Sequence, residues 1–128
     1  MLTTGIKGRK EITVTDELTA DRFGSGLIDV YATPAMIGLI EGTAADSVQS
    51  ELDEGMTTVG TKINVAHLAA TPVGMKVWAE TELTEVDRRR LVFNVNVYDE
   101  AGKIGEGMHE RFIVDRAKFR AKADLRKA

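Results

Sequence analysis

The stretch Thr33-Pro-Ala-Met-Ile-Gly-Leu-Ile-Glu-Gly-Thr-Ala-Ala-Asp-Ser-Val48, followed shortly by Thr58-Val-Gly-Thr-Lys-Ile-Asn-Val-Ala-His67, decides the fold. Its first half predicts a helix. Thr33 can accept a hydrogen bond from first-turn amides, Pro34 suits the first helical position, and apolar residues recur from Met36 onward. Gly55 marks the latest plausible end. At 100° per residue, Met36, Ile37, Leu39, Ile40, Ala44 and Val48 form one broad apolar face. Ala35, Gly38, Gly42 and Ala45 form a second, small-residue face that another backbone can approach closely. Each of those glycines costs about 1 kcal/mol of helix propensity relative to alanine, so a packing reason for them is expected. Glu41 lies at the seam between the two faces, where a freely solvated carboxylate is out of place.

In the second half the period changes to two. Val59, Thr61, Ile63, Val65 and His67 point one way, and Thr58, Gly60, Lys62, Asn64 and Ala66 the other. His67 thus shares the face expected to meet the helix. Thr71, Pro72 and Gly74 end the strand. Three further β segments follow at Lys76–Val86, Arg90–Tyr98 and Lys103–Val114, joined by turns at 87–89 and 100–102 in the manner of an antiparallel meander. In the last of them Gly105, Gly107, His109 and Arg111 share a face, leaving room for the helix or a ligand. Upstream, one strand is expected around Ile12–Thr15, then a Gly-containing connection over 21–29. Gly24-Ser25-Gly26 lacks the residues of a phosphate-binding or dinucleotide fingerprint. Phe23 and Leu27 make a lid over Thr33 an alternative reading of that connection.

One long helix followed by four long, twisted antiparallel strands implies an α+β domain whose curved sheet wraps around the helix. A chain of 128 residues fits one domain, taken as residues 1–128, and a large cavity would consume much of its core unless a second subunit relieved the shortage. A homodimer is therefore expected, with a second copy covering the small face of the helix. The net charge of -3 argues against a nucleic-acid surface. With no cysteine there is no disulfide, no thiolate nucleophile and no Cys-based metal site, in keeping with a reducing cytoplasm. No apolar run has the length of a signal-peptide core or of a bilayer span of roughly 20 residues, so a protein without membrane association is expected.

Thr33, Glu41 and His67 are residue types that can hydrolyse an ester or thioester, although each also has a plain structural reading. Thr33 can be a helix cap, Glu41 an ion-pair partner, and His67 a core histidine bonded to backbone. The ordered set Tyr31-Ala-Thr-Pro-Ala-Met, Leu39-Ile-Glu-Gly, Thr58-Val-Gly-Thr, His67-Leu-Ala-Ala-Thr-Pro-Val-Gly, Glu82-Leu-Thr-Glu-Val-Asp and Gly107-Met-His-Glu-Arg-Phe-Ile-Val-Asp resembles the hotdog-fold acyl-CoA thioesterases of the fluoroacetyl-CoA thioesterase type, from about residue 10 to 119. The resemblance implies the hotdog fold, an acyl-CoA substrate, Thr33, Glu41 and His67 as the catalytic set, Gly60 beside the acyl carbonyl, and Arg111 near the site or the coenzyme. No metal or redox cofactor is required for that chemistry. Thr33 and Glu41 stand eight residues apart, about 12 Å along one helix, too far for direct hydrogen bonding. Either the substrate spans that distance or two protomers share the site. A noncatalytic acyl-CoA-binding module, a purely structural dimer and an acyl-CoA hydratase remain alternatives, although no separate Asp/His pair argues for the hydratase. His109-Glu110 lacks the second histidine of a zinc protease motif. Arg88, Arg89 and Arg90 at a hairpin tip and the basic tail 116–127 read as solvated segments with possible phosphate contacts.

Overall fold

The computed structural model describes residues 1–127. The chain runs through β1 (Lys7–Thr13), a 3-10 turn (Asp16–Leu18), a short α1 (Ala20–Phe23), the long α2 (Thr33–Gln49), β2 (Met56–His67), β3 (Lys76–Asp87), β4 (Arg90–Asp99), β5 (Gly102–Asp115) and α3 (Arg116–Asp124). The strands form one antiparallel sheet in the order β1-β3-β4-β5-β2. Helix α2 touches all five of them, so the sheet curves around it as expected for a hotdog.

The core follows from two periodicities meeting. Met36, Ile40, Ala44 and Val48 of α2 are fully buried against Val77, Ala79 and Leu83 of β3 and Leu91, Phe93, Val95 and Val97 of β4. Asn94, on the outer face of β4, is exposed. The small-residue face of α2 is not enclosed within the chain. Among the described residues nothing approaches within 4 Å of where a side chain at Gly38 would begin, and Gly42 has only the Lys10 ammonium at 3.8 Å.

Three sequence expectations need correction. The first strand lies earlier than Ile12–Thr15, because β1 is a charged edge strand, Lys-Gly-Arg-Lys-Glu-Ile-Thr, in which apolar alternation is masked. Thr33 does not cap α2. Ala32 occupies the cap position with extended backbone (φ -74°, ψ 138°), and the Thr33 hydroxyl is engaged elsewhere. The face assignment along β2 also holds only in part. The pairing of β2 with β5 passes from Gly60↔Arg111 directly to Lys62↔Glu110, so Thr61 is an extra, bulged residue. One inserted residue reverses the alternation. Thr58 and Gly60 therefore face the helix before the bulge, and Ile63, Val65 and His67 after it. Val59 and Thr61 lie on the outer face, where Thr61 Oγ1 donates to Glu110 Oε2 at 3.0 Å.

Gly105 answers what sits against the glycine-bearing face of β5: it is the helix. A Cβ there would stand 2.9 Å from Met36 Sδ and 3.1 Å from its Cε. Overpacking of this kind costs about 1–3 kcal/mol. Gly105→Val should lower urea-unfolding stability by about that amount, and Met36→Ala in the same chain should make the valine less harmful than it is alone. Strict additivity of the two changes would mean that the helix does not press on Gly105.

Candidate active site

Two clusters of functional side chains line the inner surface, one at each end of the first two turns of α2. The first joins the start of the helix to the end of β2. The chain entering α2 is pinned by Tyr31 N–H donating to Thr71 O at 2.8 Å and Ala32 N–H donating to Leu18 O at 2.8 Å. Just beyond the end of β2, Leu68 N–H donates to Ile104 O at 2.6 Å. These anchors bring Thr33 Oγ1 within 2.7 Å of His67 Nδ1. The buried Tyr31 ring meets the imidazole edge to face, with centroids 6.4 Å apart and planes at 82°. His67 Nε2 is buried and has no hydrogen-bond partner. Burial pushes the His67 pKa below its ordinary value, and the Ala69 backbone opposes this more weakly. A neutral imidazole with one unengaged nitrogen results. Tyr31, Thr33, His67, Leu68 and Ala69 line a cavity at this point.

The second cluster centres on Glu41, two turns further along α2. Its Oε2 lies 3.7 Å from Arg111 Nη1, an ion pair rather than a close hydrogen bond. The two partners differ in exposure: the Arg111 side chain is 8% accessible and that of Glu41 43%. Arg111 is otherwise held by neutral acceptors. Its Nε–H donates to Thr58 Oγ1 at 2.7 Å, its Nη2–H to Thr58 O at 2.9 Å, and Nη1 lies 3.1 Å from His109 Nε2. Burial pushes the Arg111 pKa down and Glu41 opposes it. Gly60 completes the cluster by lacking a side chain. A Cβ at that position would overlap the Glu41 carboxylate and stand 3.3 Å from both Arg111 Nη1 and His109 Cε1.

Of the residues singled out in the sequence, Thr33 and His67 are brought into direct contact, and so are Glu41, Gly60 and Arg111. Glu41 makes no hydrogen bond or ion pair with Thr33 or His67. His109, dismissed as a metal ligand in the sequence, is 1% exposed and touches Arg111. A signal for it existed, since Gly105, Gly107, His109 and Arg111 share one face of β5. The strand pairings Ile63↔His109 and Gly60↔Arg111 set that face beside the bulge. Arg90 at the β3–β4 hairpin is engaged by Glu110 and Glu85, with Nε–H···Oε1 at 2.6 Å and Nη1–H···Oε2 at 2.5 Å. It is therefore not a free phosphate ligand. Helix α3 is largely exposed, and Asp115 caps it by accepting from Lys118 N–H at 3.0 Å.

Comparison with known proteins shows the family. Residues 14–117 match the fluoroacetyl-CoA-specific thioesterase family. The chain is 40% identical over 94 residues to the fluoroacetyl-CoA thioesterase of Streptantibioticus cattleyicolor, an alignment spanning 73% of this chain and 68% of that protein. A solved fluoroacetyl-CoA thioesterase structure, 30% identical, superposes with a TM-score of 0.95 over 100% of this chain and 99% of that one. A thioesterase-superfamily member from Thermus thermophilus, 28% identical, superposes at 0.91 over 99% of this chain and 94% of that one. The family match extends from Val14 through all of α2 and the four strands β2 to β5, and so takes in both clusters: the chain belongs to the fluoroacetyl-CoA-specific thioesterase family and is a hotdog-fold thioesterase.

Proposed function

We propose that the protein hydrolyses a small acyl-CoA thioester to free acid and coenzyme A, with Thr33, Glu41 and His67 as catalytic residues, Gly60 beside the acyl carbonyl and Arg111 near the site or the coenzyme. The observation that carries this reading is the Thr33–His67 hydrogen bond at 2.7 Å, which leaves the depressed-pKa imidazole with an unengaged Nε2. The family relationship supplies the thioester class. Gly60 lacks the Cβ that would overlap the Glu41 carboxylate, so its backbone can lie beside the acyl carbonyl.

Glu41 acts as general base on a water molecule. As the water oxygen bonds to the acyl carbon, its proton passes to the carboxylate and negative charge develops on the carbonyl oxygen. First-turn amides of α2 and the Gly60 amide are the donors available to that oxygen. Pro34 contributes none, as it lacks an N–H. Thr33 donates its hydroxyl proton to the acyl group while accepting from His67 Nδ1–H, which leaves Nε2 bare and able to take up and pass on a proton. Collapse of the tetrahedral intermediate breaks the carbon–sulfur bond. The departing sulfur takes up the proton that Glu41 received from water, relayed through His67 Nε2, so Glu41 returns to carboxylate, His67 to its neutral form, and the free acid remains.

The site is shared between two copies of the chain in this reading. Within one chain the Thr33–His67 pair and the Glu41 carboxylate lie apart along α2. Among the described residues strand β2 pairs only with β5, so its other edge is free, and the Gly38–Gly42 side of α2 is uncovered. A second copy against those surfaces would set Glu41 of one chain opposite Thr33 and His67 of the other, in a cytoplasmic homodimer. Among the described residues no helix is long and apolar enough to cross a membrane.

Release of free thiol from a panel of acyl-CoA esters tests the activity directly. Glu41→Gln and His67→Ala should each lower kcat/KM by at least about 100-fold, the scale of general acid–base catalysis, and Thr33→Ala should be milder. A folded His67→Ala protein with normal turnover would overturn the mechanism.

The pH dependence follows from the neutral imidazole. A histidine whose folded pKa is depressed stays unprotonated further into acid, so the limb of kcat/KM that disappears in His67→Ala should lie below the ordinary value of 6.5. An acid limb above that value would contradict the depressed pKa, and loss of an alkaline limb with His67 would mean that it works as a cation.

Sharing is tested by subunit exchange between His67→Ala and Glu41→Gln chains. Each mixed dimer would hold one intact and one doubly damaged site, so equal mixing should restore about a quarter of wild-type activity. No recovery under verified exchange would place all three groups within one chain.

A further inference from the structure

We propose that His109 is a positioning residue for the thioesterase site, tethering the Arg111 guanidinium to the backbone just beyond the β2 bulge and so holding it beside, not clasped onto, the Glu41 carboxylate. The inference rests on the hydrolytic reading above and adds a residue to which that mechanism assigns no part.

The hydrogen-bond partners dictate the state of the ring. His109 Nδ1 lies 2.8 Å from Lys62 O, and a carbonyl can only accept, so Nδ1 carries the proton. His109 Nε2 lies 3.1 Å from Arg111 Nη1, and a guanidinium can only donate, so Nε2 must be bare. Both conditions hold only for the neutral ring protonated at Nδ1. Burial and the neighbouring Arg111 charge both push the His109 pKa down, while the Lys62 carbonyl, Glu41 and Glu110 oppose them. Phe93 packs on the ring, with planes at 29° and centroids 6.3 Å apart, fixing its orientation.

The tether reaches a rigid point. Lys62 follows the bulged Thr61, and on the outer face Thr61 is held by Glu110, which Arg90 holds in turn. The bulge is thus braced on both faces of the sheet. With one nitrogen of its fork given to His109 and two to Thr58, Arg111 meets Glu41 at 3.7 Å through Nη1 alone. Released from His109, Nη1 is free to close from 3.7 Å onto the carboxylate as a charge-assisted hydrogen bond, while Thr58 keeps Nε and Nη2, and so to occupy a lone pair that a general base needs. Gly60 provides the room in which this adjustment is made.

Three substitutions separate positioning from core filling. His109→Gln keeps a carbonyl acceptor toward Arg111, His109→Asn keeps only a donor toward Lys62, and His109→Leu keeps neither. With folding verified by circular dichroism, His109→Asn and His109→Leu should lose about 10–100-fold in kcat with KM within about two-fold, whereas His109→Gln should stay within about three-fold of wild type. If His109→Leu does not fold, the contrast between His109→Gln and His109→Asn decides. Equal effects of those two, or wild-type kcat in a folded His109→Leu protein, would overturn the proposal. Nitrogen-15 NMR of the wild type gives a readout independent of turnover: Nδ1 should be protonated and Nε2 bare near neutral pH, and a protonated Nε2 would rule out the tether. Normal turnover in Glu41→Gln would instead sink the hydrolytic reading while leaving the NMR result to judge His109.

Discussion

Packing of α2 across the inner face of the curved sheet is the constraint on which the rest of this structure depends. The helix is rigid at 1.5 Å per residue, so once Met36, Ile40, Ala44 and Val48 are committed to the core the positions of Thr33 and Glu41 are fixed as well. Both lie at the margin of the buried face. Thr33 emerges at the first turn, where the free amides of a helix start are found, and Glu41 emerges two turns later beside the bulge in β2. Hydrophobic burial, which is non-directional, thereby positions directional chemistry.

The two clusters answer different electrostatic problems. At Thr33–His67 an imidazole is kept neutral by burial and left one nitrogen short of partners, an arrangement that costs stability and suits proton transfer. At Arg111 a cation is taken out of water, which is tolerable only when its donors are satisfied. Thr58 and His109 satisfy them with neutral acceptors, and Glu41 supplies the opposite charge from a half-exposed position. Because the compensating work is spread over neutral groups, the carboxylate is not consumed as a structural counter-ion.

Much of this architecture was legible in the sequence, for identifiable reasons. The long helix, the turn-separated strands β3 to β5 and the inward placement of His67 rest on strong periodicities. Strand β1 was misplaced because an edge strand that is mostly charged carries no alternation, and the Val59–Thr61 face was misassigned because a bulge leaves no mark in a period-two pattern. Thr33 read as a cap because a hydroxyl before proline at a helix start has that local role. Only a residue 34 positions away, His67, gives it another. The Arg111–Thr58 and Arg111–His109 bonds share that property in part: the grouping on β5 was visible, but the partner on β2 depends on strand register.

The same register accounts for a division that a single chain does not resolve. Gly60, Arg111 and His109 come together because β5 pairs with β2, whereas Thr33 meets His67 because the other end of β2 reaches the start of α2. Strand β2 thus carries one component of each cluster, separated by six register steps from Gly60↔Arg111 to His67↔Gly105, about 20 Å at 3.3 Å per step. Even along α2, where Thr33 and Glu41 stand about 12 Å apart, the separation is too long for direct hydrogen bonding between side chains. An antiparallel neighbour along a free strand edge reverses the direction of travel, bringing the far end of one copy beside the near end of the other. The edge of β2 left unpaired among the described residues is therefore where a second copy would lie in the shared site proposed above.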